Sequence, residues 1–353
     1  MHFAAQLATQ VKEAARGAGF ELAGIAPLRG HSELGRFSEW VAAGHAGEMK
    51  YLEARDDVGK LKRASPETTF PWARSVIVCA INYNTAQPYS TEFHNKKSGW
   101  ISRYAWSRED YHDVVLRKLR QVEASLRNLC DAEITMRSYV DTGPVVERVF
   151  AKYAGVGWIG KNTCVINQKI GSWLFLGVIL TSLELTPDIP APDRCGSCTR
   201  CIDACPTDAI IAPYQLDSNK CISYLTIEKR GEIPEERRDG IGRHIYGCDI
   251  CQDVCPWNRK APATTVGEFQ PREGLVNPAL EWLAEISPEE FQDKFRGSPM
   301  RRAKRTGLRR DAVIAMGNSG DDSFVPVLEK LENDEDKIVA EAANWARTRL
   351  NKI

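Results

Sequence analysis

The chain has 353 residues, 43% hydrophobic and 27% charged, ordinary globular proportions that exclude a disordered, collagenous or coiled-coil protein. Forty-seven Lys and Arg balance 47 Asp and Glu, so there is no global basic field and any nucleic-acid partner must be held by a local patch. No stretch approaches the roughly 18 apolar residues of a membrane span. The opening 24 residues mix Gln6, Lys12, Glu13 and Arg16 into their apolar pattern, which reads as a cytoplasmic chain with no membrane segment and no secretory leader.

From Phe3 to Ala15 apolar residues recur near the helical period and stop at Gly17 and Gly19, so the chain is expected to open on an amphipathic helix. Glu21–Ala26 predicts a short strand. Arg74–Tyr83 predicts a clearer one, whose continuous apolar run suits a sheet covered on both faces. Val114, Leu116, Leu119, Val122 and Leu126 space a helix within Asp110–Leu129, and Ile134–Val140 and Trp173–Leu180 read as two further strands. This alternation predicts an α/β (α+β) domain over residues 1–184.

Pro187, Pro190 and Pro192 mark a boundary, since such a segment continues neither a helix nor a central strand. A cysteine-rich module is expected over 185–260 and a helical tail over 261–353. In the tail Leu308, Ala312, Val313 and Met316 form one stripe, Val325, Leu328 and Leu331 a second, and Ile338, Val339, Ala342, Ala343, Trp345 and Ala346 a third. Gly317–Gly320 and Asn333–Asp336 separate them. The three helices read as one and a half units of a HEAT-like array, or as a helical cap.

Eight of the eleven cysteines lie between positions 195 and 255; Cys79, Cys130 and Cys164 are scattered and read as small buried hydrophobes. Cys195-x2-Cys198-x2-Cys201-x3-Cys205-Pro206 reproduces the bacterial ferredoxin run, in which three thiolates bind one 4Fe-4S cube and the fourth reaches another. Cys248-x2-Cys251-x3-Cys255-Pro256 repeats the end of that pattern, and Cys221 supplies the missing ligand. The crossed ligation of this module assigns Cys195, Cys198, Cys201 and Cys255 to one cluster and Cys205, Cys221, Cys248 and Cys251 to the other. Structural zinc also accepts four thiolates at this spacing, but it needs neither the Cys-Pro ending nor an interlocked double set. Two clusters conduct single electrons without activating a substrate, so a reacting centre is expected elsewhere.

Tyr139-Val-Asp-Thr-Gly-Pro-Val-Val-Glu-Arg148, Ala154-Gly-Val-Gly-Trp-Ile-Gly-Lys-Asn-Thr163, Gly171-Ser-Trp-Leu-Phe-Leu-Gly177, Ile101-Ser-Arg-Tyr-Ala-Trp106 and Asp110-Tyr-His112, together with the double cluster and the tail, resemble the epoxyqueuosine reductase family. The resemblance covers nearly the whole chain. It implies a cobalamin-dependent enzyme that removes the epoxide oxygen from epoxyqueuosine at the wobble position of a tRNA. It also implies a cofactor-binding fold similar to that of corrinoid reductive dehalogenases, and a reduced flavodoxin or ferredoxin-like electron donor. No Asp-x-His-x-x-Gly occurs in the chain, which is compatible with a corrin that takes no histidine from the protein.

Within that resemblance Asp141 is the proton donor to the expelled oxygen, a role that calls for a desolvated pocket to raise its pKa from near 3.9. The alternative is an Asp that caps the turn or helix starting at Thr142. Gly155, Gly157 and Gly160 form a G-x-G-x-x-G that lacks the context of a nucleotide site, so Gly157 and its neighbours read as close-approach positions beside the corrin. Lys161 and Asn162, with Ser102, Arg103 and Tyr104, are candidates for bonding its amides or phosphate. Lys294, Arg296, Arg301, Arg302, Lys304, Arg305, Arg309 and Arg310 put eight positive charges between 294 and 310 with no acid among them. Arg301, Arg302, Lys304 and Arg305 are therefore the candidate tRNA contacts, the alternative being a solvated helix face. A monomer is expected, and the competing functions are a corrinoid dehalogenase acting on small molecules and a low-potential electron carrier.

Overall fold

Four segments pair into one sheet: β1 (Leu22–Pro27), β2 (Ser75–Asn82), β3 (Met136–Tyr139) and β4 (Leu174–Thr181), in the spatial order β1-β2-β4-β3. The structure is a computed structural model that describes residues 2–130 and 133–352, the side chains of His2 and Phe3 aside. Every pairing in this sheet is antiparallel. Alternation of helices and strands fixes the order of elements but not strand direction, and the sheet is of the α+β kind.

β2 is buried along its whole length, which its unbroken apolar run requires. On one face Val76, Val78 and Ala80 join a cluster with Phe150, Ala151 and Ala154 at α3 (Glu147–Tyr153). The opposite face meets α2 (Tyr111–Leu129). There Gly177, paired with Cys79, lets the helix approach so closely that a Cβ would lie 2.8 Å from Leu119 Cδ1. Burial pushes the Cys79 thiol up to about 12, so it is the inert hydrophobe expected of it. Cys130 and Cys164 are only half-buried. The opening helix α1 (His2–Gly17) buries Leu7, Val11 and Ala15.

The chain forms two compact units assembled from interleaved segments. The first holds residues 1–84, 111–199 and 256–264; the second holds 85–110, 200–255 and 265–353. Segment 85–110 belongs with the second unit because Trp100–Ile101 pairs in parallel with His244–Tyr246.

In the second unit the expected stripes become α4 (Lys304–Ser319), α5 (Val325–Leu331) and α6 (Lys337–Leu350). Gly317, expected in a linker, lies inside α4. A Cβ there would stand 2.8 Å from Ala346 Cα, so this glycine is a helix-crossing contact. The helix ends at Gly320, which takes φ +60 as a left-handed cap. No described helix is long and apolar enough to cross a membrane.

Candidate functional site

In the first unit the chain leaves β3 through Val140 and turns at Asp141, whose φ is +56 and whose turn is closed by a 2.6 Å bond from Thr142 N to Val140 O. Non-glycine residues adopt this backbone rarely, and such outliers gather at functional sites. The turn leaves Asp141 exposed. The buried Tyr111 holds it by donating its hydroxyl to Asp141 Oδ2 at 2.5 Å, with the Tyr111 ring stacked on Phe175 at 4.3 Å.

This corrects the sequence reading in two ways. The chain does not bury Asp141, and α3 starts at Glu147, so Asp141 caps no helix at Thr142. The desolvated acid is Glu147, which sequence reasoning missed. It is 8% exposed, and burial pushes its carboxyl up to about 7, the charge of Asp141 adding to the effect. A Glu in the first turn of a helix looks like an ordinary complement to the helix dipole, so its composition gives no signal of burial.

Residues 155–166 contain a small hairpin in which Trp158–Ile159 pairs with Val165–Ile166. What crowds its glycines is the chain itself. A Cβ on Gly157 would lie 2.5 Å from Ile166 O, one on Gly160 2.5 Å from Ile166 Cδ1, and one on Gly155 2.8 Å from Ile189 O. Lys161 Nζ donates to Gly196 O at 2.7 Å and Cys198 O at 3.0 Å, fixing the loop that carries Cys195 and Cys198. The buried Asn162 accepts from Cys164 N at 3.2 Å.

In the second unit Ser102, Arg103 and Tyr104 brace the last group of cysteines. Asp249, fully buried beside Cys248, accepts from Trp100 Nε1 at 3.0 Å, from Arg103 N at 2.7 Å and from Ser102 Oγ. The buried Arg103 guanidinium donates to Thr85 O, Gln87 O and Pro88 O at 2.8 to 3.0 Å and lies over the Trp106 ring. Tyr104 and Tyr246 hydroxyls bond at 3.2 Å. Asp253 accepts from Ser90 N at 2.8 Å, so both carboxylates that flank Cys251 are anchored to segment 85–110.

No two of the described cysteines are joined in a disulfide. Cys205, Cys221 and Cys248 stand within electrostatic reach of one another: burial raises the pKa of Cys221 and of Cys248, and the neighbouring cysteines raise both further. Ala209 N also donates to Cys205 Sγ at 3.3 Å. Among the described residues no three His, Cys, Asp or Glu side chains gather as a single-ion site. Four-iron cubes spread their thiolates over separate corners, and an all-cysteine donor set in two fours suits them.

The basic run does not survive as eight free charges. Arg309 and Arg310 are buried, the first bonded to Asp334 at 3.0 Å and the second to Asp311 at 2.8 Å. Arg305 Nε donates to Ile286 O at 2.7 Å, and Arg302 pairs with Glu228 at 2.8 Å. Arg301, Arg302 and Lys304 remain exposed, Lys304 at φ +64.

The family model for epoxyqueuosine reductase QueG, DUF1730, matches residues 63–142, and that for a 4Fe-4S double cluster binding domain matches 194–258. An epoxyqueuosine reductase of Pseudomonas aeruginosa is 40% identical over 98% of this chain and 95% of its own. One from Synechocystis is 44% identical over 82% of this chain and 98% of its own. The chain belongs to the epoxyqueuosine reductase family. It is therefore an oxidoreductase. An epoxyqueuosine reductase solved with an epoxyqueuosine-modified tRNA-Tyr stem loop aligns over 98% of this chain and 90% of that one, at 31% identity and a TM-score of 0.88. A Bacillus subtilis epoxyqueuosine reductase, TM-score 0.87, has a catalytic aspartate loop swung out of the active site. Reductive dehalogenase structures are far more distant, at 18% identity and a TM-score of 0.41.

Proposed function

We propose that this chain removes the epoxide oxygen of epoxyqueuosine at the wobble position of tRNA, giving queuosine. The observation that carries the reading is the alignment over 98% of the chain with a reductase solved on an epoxyqueuosine-modified tRNA stem loop. Cys195, Cys198, Cys201 and Cys255 hold one 4Fe-4S cluster, and Cys205, Cys221, Cys248 and Cys251 the other. Both are charged by a reduced flavodoxin or ferredoxin-like donor in the cytoplasm, and the enzyme works as a monomer.

Cobalamin belongs to the proposal through the family resemblance. The residues assigned to it do not make a cradle. Arg103 and Lys161 are bonded to backbone carbonyls, Ser102 to Asp249, and the missing side chain of Gly157 makes room for Ile166. The proton and binding roles are accordingly assigned to the chain's own residues. Asp141, exposed at its turn and oriented by Tyr111, delivers the proton to the expelled oxygen. Arg301, Lys304 and, more weakly, the paired Arg302 meet tRNA phosphates, and Arg305 steadies them through Ile286 O. The modified base lies in a single-stranded loop and is open to extrusion without breaking a duplex.

The test is incubation of metallated protein with cobalamin, a strong reductant and epoxyqueuosine-containing tRNA, followed by nucleoside mass analysis. The expected product has lost one oxygen. An unchanged nucleoside overturns the reading.

A further inference from the structure

Of the two carboxyls in the loop after β3, Asp141 is exposed and Glu147 is buried, six positions apart. Glu147 Oε1 has no hydrogen-bond partner among the described residues. β1, β2, β4 and the two strands of the 158–166 hairpin pack against α3 and bring no charged side chain, and Glu33, which also meets α3, is paired with Lys152 and accepts from the Tyr153 hydroxyl at the far end of the helix from Glu147. The cations that act on Glu147 are Arg63 and Arg148, and each spends a guanidinium nitrogen on a backbone carbonyl: Arg63 on Val145 O at 2.8 Å, Arg148 on Thr163 O at 3.1 Å. A carboxylate out of water with an unpaired oxygen is costly, and the neutral acid is the form that such a site favours. The acid whose charge raises it further is Asp141.

The chemistry needs such a group. Turning an epoxide into an alkene breaks two C–O bonds, forms one C=C bond and releases the oxygen as water. It consumes two electrons, from the low-potential one-electron donor, and two protons. A single Asp supplies one proton before it must be recharged.

We propose that Glu147 is the proton store behind Asp141: once Asp141 has given its proton to the departing oxygen, Glu147 returns one to it, so both protons of the water pass through Asp141. Glu147 is then recharged from solvent between turnovers. It acts through Asp141 and does not touch the substrate. This rests on Asp141 being the acid.

The test uses Glu147→Gln, which keeps the shape and neutrality of the protonated side chain but carries no transferable proton, so a purely structural role survives it. Infrared titration of the full-length protein is expected to show a neutral-carboxyl band that persists to near neutrality and is missing from Glu147→Gln. In Asp141→Asn the same band is expected to vanish at lower pH, because the charge that raises it is gone. In single turnovers of pre-reduced enzyme, Glu147→Gln is expected to slow deoxygenation roughly 10- to 100-fold and to lose the fall in rate that the wild type shows as pH rises through neutrality. A wild-type rate and pH profile in Glu147→Gln overturns the relay, as does a Glu147 band that Asp141→Asn leaves unmoved. Turnover surviving in Asp141→Asn overturns the Asp141 reading and the relay with it.

Discussion

The loop at 141–147 and the basic run at 301–310 each set like charges close together in sequence, and the fold divides both into exposed and buried members. It then treats the buried members in opposite ways. Glu147 goes inside with an oxygen unpartnered, and its carboxyl is pushed up to about 7. Arg309 and Arg310 go inside fully engaged, with Asp334, Asp311 and the carbonyls of Ala284, Leu225, Lys229 and Gly231 accepting their protons. Burial without a partner leaves a charge that can be discharged, which suits proton storage. Burial with partners makes the charge part of the scaffold, beyond the reach of any substrate.

Asp141→Asn is the sharpest way to break the first half of the contrast. Asn keeps the size of the side chain and an acceptor for the Tyr111 hydroxyl, yet has no proton to give. Deoxygenation is expected to fall by roughly 10²- to 10⁴-fold while iron and sulfide content, measured chemically, stay at wild-type levels. Arg310→Met breaks the second half. It removes donors from Asp311 and three carbonyls at once, and denaturant unfolding is expected to show a loss of about 3–5 kcal/mol. A loss below about 1 kcal/mol would mean that Arg310 behaves like an exposed ion pair.

Much of this was legible beforehand. The four strands fall within a residue or two of the apolar runs that announced them, and the eight cysteines carry their chemistry in their spacing. What the sequence hides is direction, partnership and exposure. Periodicity does not distinguish antiparallel from parallel pairing. Arg103 and Lys161 looked like ligand contacts because a lone cation in a glycine-rich or aromatic motif has no visible partner, and their partners are backbone carbonyls that no sequence pattern advertises. Gly317 was taken for a linker because glycine marks turns more often than helix crossings. Asp141 lies exposed at a left-handed turn where its role called for a desolvated pocket, and nothing in the sequence marks Glu147 as the buried acid.

The stability of the protein should itself carry the mark of Glu147. Its folded carboxyl stands near 7 against an ordinary 4.5, so between those values the folded chain holds a proton that the unfolded chain releases. Stability therefore falls as pH rises through that window, by about 3 kcal/mol if the full shift is realised, and is constant with respect to this group on either side. Chemical unfolding at mildly acidic and mildly alkaline pH should show the slope in the wild type and a shallower one in Glu147→Gln. Equal slopes would mean that Glu147 is ionised in the fold.

The smallest effect concerns the cations that stay outside. Arg301→Glu with Lys304→Glu leaves the core untouched, so unfolding should move by no more than about 0.5 kcal/mol, in contrast with Arg310→Met. Affinity for tRNA should nevertheless weaken roughly tenfold at moderate salt. Each phosphate contact on a single strand contributes about 0.7 to the slope of log affinity against log salt, so losing two should flatten that slope by about 1.4. Arg302→Glu should do less, because Glu228 already offsets its charge. If affinity falls but the salt slope stays where it was, the reversed charges repel tRNA from a distance and the exposed cations touch no phosphate. If neither moves, the run is a solvated helix face, and the partnered arginines beneath it account for its composition.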